Sequence, residues 1–289
     1  MPSQSLDDVD QPERVAGAGG VALAADWFGP ADGAPVVLLH GGGQTRHAWG
    51  ATARMLAERG YRVVALDLRG HGDSGWAADL GYSLTAFRDD LVEVLVRFAR
   101  PAVVIGASLG GIAALLAAGE AAADRVRVLV LVDITPAPAR EGASHIQAFM
   151  SANPEGFATL DEAADAVAAY LPHRPRPRNP AGLMKNLRLR DGRLHWHWDP
   201  RFMEVTARDR FADVDRLVKA AVAVTAPTLL VRGEESDIVG PEELARFRAL
   251  MPDAQVITVP GARHMVAGDQ NTEFGQALLD YLQAAAPPA

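Results

Sequence analysis

Short runs dominated by Val, Leu and Ile recur along the chain at Val36–Leu39, Arg62–Leu66, Ala102–Ile105, Val126–Val132, Thr228–Val231 and Gln255–Val259. They are apolar at nearly every position rather than at alternate ones, the pattern of strands covered on both faces. Between them lie stretches with helical periodicity, Trp49–Arg59, Leu84–Phe98, Gly110–Glu120, Pro241–Leu250 and Glu273–Ala284, long enough to cross from one parallel strand to the next. Ser83 stands where an N-cap is expected and Gly60 where a left-handed C-cap residue is favoured. Val15–Phe28 reads as a Gly-interrupted hairpin. The pattern predicts an α/β protein with a mostly parallel, doubly wound sheet.

The rhythm breaks between Thr135 and about Ala226. Thr159-Leu-Asp-Glu162 has the spacing of a capping box ahead of an Ala-rich helix to Tyr170. His173-Arg-Pro-Arg-Pro-Arg178 reads as a stiff, solvated polyproline-like connector, with a polybasic docking site as the alternative. Residues 135–226 are therefore expected to form a helical cap, or lid, inserted into a core made of 1–134 and 227–289. A chain of 289 residues is long enough for one such core and its insertion.

Apolar residues make up 49% and charged residues 22%, far from the composition of chains that stay disordered. The formal net charge of -8 argues against nucleic acid and anionic membrane as partners, because both demand a cationic surface. Cysteine is absent, which excludes disulfides, thiolate metal sites and thiol catalysis. Met1–Arg14 is acidic and lacks the basic start and apolar middle of a secretory signal, and no apolar run approaches the roughly 20 residues that span a bilayer. The expectation is a cytoplasmic protein acting on a small molecule. Nothing in the sequence sets its oligomeric state.

The most informative chemistry is Gly106-Ala-Ser108-Leu-Gly110, directly after one apolar run and directly before an Ala-rich helical stretch. A serine on so sharp a strand-to-helix turn presents its hydroxyl to a pocket, and only small neighbours let the chain pass. Such a hydroxyl needs a base, itself oriented by a carboxylate. His264 follows the last apolar run and precedes the final helix, where the base should sit; the seven other histidines do not. His195 and His197 could suggest a metal pair, but no third ligand lies nearby and the flanking Trp196 and Trp198 suit packing or substrate contact. No metal or cofactor is expected. For the acid, Asp237 closes a strand, Gly-turn, acidic segment before the helix at Pro241; Glu234, Glu235 and, at the end of the preceding strand, Asp133 are the alternatives.

Acyl transfer also calls for fixed donors to an oxyanion, each typically worth about 3 kcal/mol of barrier. Leu38-Leu-His-Gly-Gly-Gly43 leaves the first buried strand, so the backbone N–H groups of Gly42 and Leu109 are the expected pair. His40, Gly41, Phe149, Met150, Trp196 and Trp198 are candidate pocket residues, with Phe157, Phe202 and Met203 as further candidates that could equally pack the lid on the core.

Taken together, His40-Gly-Gly-Gly43, Asp67-Leu-Arg-Gly-His-Gly-Asp-Ser74, Gly106-Ala-Ser-Leu-Gly-Gly111, Gly233–Asp237 and Gly261–His264 resemble the α/β-hydrolase superfamily, in the order nucleophile, acid, histidine, over roughly Val36–Leu282. The resemblance implies the catalytic roles above and a helical cap inserted after the strand that ends at Asp133. It also implies that Asp67–Ser74 holds the loop beside the pocket rather than performing chemistry. The chain looks similar to bacterial members labelled esterase, peroxidase-like or epoxide-hydrolase-like. Epoxide hydrolases and haloalkane dehalogenases that resemble it carry an aspartate at the elbow, against Ser108. Cofactor-free haloperoxidases often carry a proline where Gly42 and Gly43 stand, and hydroxynitrile lyases of this fold carry a lysine near the acid, where Ile238 and Val239 follow Asp237. The triple glycine resembles that of esterases accepting bulky alcohols. The expected function is acyl-enzyme hydrolysis of a carboxylic ester in a small, largely apolar substrate. The alternatives are a lactone, thioester or carbon-carbon bond, or a ligand-binding receptor with vestigial turnover.

Overall fold

All six apolar runs become strands in the computed structural model, which describes residues 13–79, 81–176, 178–204, 214–266 and 271–288. Residues 1–12, with most of the acidic start noted above, lie outside the described residues. The chain opens with β1 (Glu13–Ala16), β2 (Ala22–Phe28) and β3 (Ala34–Leu39), then α1 (Gly50–Glu58), β4 (Tyr61–Leu66), α2 (Leu84–Leu95), β5 (Ala102–Ala107), α3 (Leu109–Leu116) and β6 (Val126–Val132). The inserted stretch follows, with α4 (Arg140–Ser151), α5 (Leu160–Tyr170), a two-stranded ribbon of β7 (Leu187–Arg190) and β8 (Arg193–Trp196), and α6 (Val214–Ala223). The chain then returns to the sheet through β9 (Thr228–Gly233), α7 (Pro241–Leu250), β10 (Gln255–Val259) and α8 (Asn271–Ala285).

The main sheet has the order β1-β2-β4-β3-β5-β6-β9-β10. β1 and β2 pair antiparallel, as the hairpin reading expected, and β2 joins β4 antiparallel; from β4 to β10 every pairing is parallel. Successive residues of one strand face opposite layers. Val37, Leu39, Val64, Val104 and Leu129 join the core under α2, α3 and α6, whereas Val36, Leu38, Val63, Val103 and Val128 pack towards α1 and α8. Two cores, one on each face, explain why these strands are apolar at every position, each fully buried aliphatic side chain contributing about 1.5–3 kcal/mol.

Helix ends follow local chemistry. Ser83 Oγ accepts the Ala86 N–H at the start of α2, and Gly60 takes φ 88° after α1. Thr159 Oγ1 accepts the Glu162 N–H at the start of α5, while the Glu162 carboxylate reaches the N–H of Ala158, one residue earlier than a strict capping box requires. Arg176, in the Arg-Pro connector, pairs with Asp161 and Asp165, which ties that segment to α5.

The inserted stretch is not purely helical, as the sequence reading expected. Leu187-Arg-Leu-Arg and Arg193-Leu-His-Trp alternate apolar and polar positions around Asp191-Gly192, both at positive φ (50° and 76°), and that combination closes a two-residue hairpin. Among the described residues no helix is long and apolar enough to cross a membrane.

Candidate active site

The parallel strands deliver their exits to one edge of the sheet, the usual crevice of an open α/β fold. β3 leads to His40–Gly43, β5 to Ser108, β6 to Asp133, β9 to the Gly233–Asp237 loop and β10 to His264. Ser108 sits on the turn between β5 and α3 at φ 46°, ψ -115°, a region that non-glycine residues occupy only when the surroundings hold them there. The small neighbours are required by close approach: a Cβ on Gly106 would lie 2.4 Å from the Gly110 carbonyl oxygen, and one on Gly110 2.6 Å from that of Leu39. Strand, helix and the β3 exit are thereby packed against one another, and Gly110 N–H bonds the His40 carbonyl at 3.2 Å.

The acid beside the histidine is Asp133, not Asp237. Asp133 is fully buried, and its Oδ2 accepts from His264 Nδ1 at 2.9 Å and from the Ser236 hydroxyl at 2.5 Å, while Oδ1 accepts the Gly233 N–H at 2.9 Å. Asp237 is 53% exposed and lies 3.9 Å from His145 on α4. The physical reason is register. Val132 of β6 pairs with Val231 of β9, so both strand ends open onto the same edge and either could have carried the carboxylate. The β9 loop instead supplies donors: Ser236 Oγ accepts from Ile238 and Val239 N–H and donates its own O–H to Asp133. Glu234 accepts the Gly261 N–H and Glu235 pairs with Arg263, which leaves neither on His264. With Nδ1–H donated to Asp133, the lone pair of His264 is on Nε2.

Ser108 and His264 line one cavity of about 400 Å³, together with Gly42 and five of the six expected pocket residues, Gly41, Phe149, Met150, Trp196 and Trp198. Ser108 Oγ and His264 are not hydrogen-bonded to each other in this conformation, and such pairs commonly tighten only once substrate is in place. The N–H groups of Gly42 and Leu109 have no protein acceptor among the described residues, while the neighbouring Gly41 N–H is used by Gln44 Oε1. Leu109 opens α3, so the positive end of that helix lies at the same point.

His40 departs from the expectation that it lines the pocket. It is fully buried; Nε2 accepts the Leu68 N–H at 2.9 Å and Nδ1 faces the Gly41 carbonyl at 2.8 Å, so both nitrogens hold the β3 and β4 exits together. Burial pushes it down to about 4, with Arg46 and His47 acting in the same direction and the Gly41 carbonyl against it. The Asp67–Ser74 loop is held by hydrogen bonds within it and to neighbouring segments, Arg69 reaching Asp90 and Asp73 meeting Arg46 and Arg188. Asp67 accepts from Arg46 and Asp73 N–H, and Ser74 Oγ bridges the Asp67 carbonyl and Ala24 N–H.

Tyr170 is a cavity residue that the sequence pattern does not single out, and the contacts of His197 are visible only in the fold. Tyr170 stacks on Phe149 at 4.1 Å, and burial, together with the charge of Asp237, raises its phenol to about 12. Trp196 stacks on Trp198 at 5.2 Å. His197, between them, is buried and held neutral by burial first and by the neighbouring His71 and His40 second; its Nδ1 accepts the Gly72 N–H at 2.7 Å and Nε2 faces the Gly43 carbonyl at 3.3 Å. Its role is to join the inserted stretch to the core. Asp-Gly between alternating residues is the one local signal that would have located β7 and β8.

A serine on a strained strand-to-helix turn of a parallel sheet, with a histidine and its carboxylate on later strand exits, is the arrangement of α/β hydrolases. The chain belongs to that family: the profile described as "Alpha/beta hydrolase family" matches residues 36–277. It is similar to the esterase Rv0045c of Mycobacterium tuberculosis, 34% identical over 89% of this chain and 84% of that protein. It is also similar to the 2-(acetamidomethylene)succinate hydrolase of Mesorhizobium japonicum, 35% identical over 71% of this chain and 73% of that one. The crystal structure of an E-2-(acetamidomethylene)succinate hydrolase superposes with a TM-score of 0.82 at 28% identity, covering 94% of this chain and 98% of the other.

Proposed function

We propose that this α/β hydrolase is a serine carboxylesterase working through an acyl-enzyme, with Ser108 as nucleophile, His264 as general base and Asp133 as the acid that orients it. The observation that carries this reading is the hydrogen bond from His264 Nδ1 to buried Asp133, with His264 and Ser108 lining one cavity and the unused amides of Gly42 and Leu109 on residues that line a cavity together with Ser108. His264 Nε2 takes the Ser108 proton as Oγ attacks the ester carbonyl. The Gly42 and Leu109 N–H groups hold the oxyanion, the C–O bond to the alcohol breaks, and His264 returns the proton to the departing oxygen. Water, deprotonated by His264, then releases the acid and regenerates Ser108. The names of the esterase relatives and the apolar, aromatic cavity support an ester of a small, largely apolar substrate.

Wild type and Ser108→Ala, assayed on short and medium p-nitrophenyl esters and treated with a fluorophosphonate, test this directly. The expected result is a label at Ser108 by mass spectrometry and turnover lost in the alanine variant by about 10⁶-fold, down to the residual rate that oxyanion donors alone support. An unlabelled serine with activity unchanged by the substitution would remove Ser108 from the chemistry.

A further inference from the structure

Ser108 stands where two cavities meet. The cavity of about 400 Å³ contains His264 and is walled by aromatic rings, Phe149, Tyr170, Trp196 and Trp198. A second, of about 530 Å³, runs the other way; aliphatic side chains, among them Leu84, Ile112, Ile134, Leu217 and Ile238, make up most of its lining, and the charged Arg140, Asp215, Glu243 and Arg246 also line it. Gly42, Ser108, Ile146 and Met150 line both, whereas His264 lines only the first and Leu109 only the second. The divider comes from one helix: Ile146 and Met150 are four residues apart on α4 and form one ridge, and Met150 is buried against Gly42 and Gly43. Ala143, a turn earlier, faces the second cavity, and Phe149 the first.

Building on the hydrolytic reading above, we propose that the two cavities divide the ester between them, the aliphatic one taking the acyl chain and the aromatic one the departing alcohol. The tetrahedral carbon on Ser108 Oγ carries three other groups. Its oxyanion is held by the Gly42 and Leu109 amides. Its leaving oxygen must come within hydrogen-bond reach of His264, the group that returns the proton, and His264 belongs to the aromatic cavity alone. The acyl chain is left with the other direction, into the aliphatic cavity. The substrate class that fits is an ester of an extended aliphatic acid with a flat or cyclic alcohol, which can lie against stacked rings.

Two ratios of kcat/KM read the two halves separately: p-nitrophenyl decanoate over acetate for the acyl side, and 2-naphthyl over methyl hexanoate for the alcohol side. Ala143→Phe should lower the first ratio by roughly tenfold or more and leave the second within about twofold of wild type, and Val167→Phe, in the aromatic cavity, should do the reverse. Ile112→Ala enlarges the aliphatic cavity and should shift the preferred acyl chain to greater length, a change of opposite sign that does not depend on an overpacked variant folding. The crossed pattern would assign the cavities the other way, and equal movement of both ratios in every variant would mean one undivided site; either overturns the proposal. Failure of Ser108 to take the fluorophosphonate in the wild type is a different result, one that removes the hydrolytic reading beneath it.

Discussion

The edge of the parallel sheet and the stretch between β6 and β9 each contribute half of the cavity around Ser108, and they do so by different physics. On the sheet side, position comes from backbone. Ser108, Asp133 and His264 each follow a strand whose neighbours fix its end, glycines bring strand and helix into direct contact, and the buried carboxylate of Asp133 has a donor on each oxygen. On the inserted side, position comes from side chains. α4, α5 and the β7–β8 ribbon meet the cavity through Phe149, Met150, Tyr170 and Trp196, while Met184 and Leu189 stand exposed. The contrast teaches that the proposed reacting groups are set on elements that cannot shift without disrupting the sheet, whereas the cavity walls can be rebuilt residue by residue.

The sharpest way to break that contrast is to neutralise the two aspartates in turn. Asp133→Asn should lower kcat by about 10⁴-fold, because a side-chain amide cannot hold the neutral histidine in the required tautomer. Asp237→Asn, at an exposed site beside α4, should change kcat by no more than about twofold. Steady-state rates on one ester decide it, and a large loss in Asp237→Asn with Asp133→Asn nearly unchanged would return the role to Asp237.

A smaller effect comes from the histidines that join the loops. His40 is neutral in the folded protein and held at about 4, whereas an unfolded chain binds a proton on histidine near 6.5. The stability it contributes is therefore full above pH 6.5 and is lost as the pH falls from 6.5 towards 4, about 3 kcal/mol in all. His197, also held below its usual range by burial, acts in the same direction from the inserted side. Urea unfolding midpoints across this window should drop steadily in the wild type and less steeply in His40→Gln; a midpoint independent of pH would contradict the buried neutral pair.

The smallest contrast is between two glycines. Gly106→Ala puts a Cβ onto backbone of α3 and should destabilise by about 1–3 kcal/mol, as overpacking does. Gly182→Ala, in the inserted stretch, meets nothing within 4 Å and should be neutral or stabilise by up to about 1 kcal/mol. Thermal or urea denaturation of the pair is sufficient, and similar values for both would mean that the elbow is less tightly packed than its glycines imply.

Much of this was legible locally. An all-apolar strand announces itself because both of its faces are covered, and α7 was bounded to the residue because Pro241 begins it. Ser108 and His264 were legible because each chemistry-bearing residue falls at a punctuation mark of the pattern, directly after an apolar run. His40 was misjudged for the same reason in reverse. It too follows an apolar run, but its ring turns inward, and nothing short of the contacts with Leu68 and Gly41 distinguishes an inward histidine from an outward one. The β7–β8 ribbon was overlooked although its Asp-Gly turn is a local signal, since its arginines resemble the solvated connector just before it.

The order of hydrophobic runs and turn residues was enough, alone, to establish the fold class and to single out Ser108 and His264 as candidates at strand exits, because those depend on periodicity and on one sharp turn. Which carboxylate meets His264, the inward turn of His40 and the two cavities divided by Met150 depend on which strand end lies beside which and on how a distant helix crosses the sheet edge. Those are contacts between residues 100 or more positions apart in the case of Asp133, with Gly233 at 100 and His264 at 131, and side-chain chemistry at either position is equally compatible with making them or not.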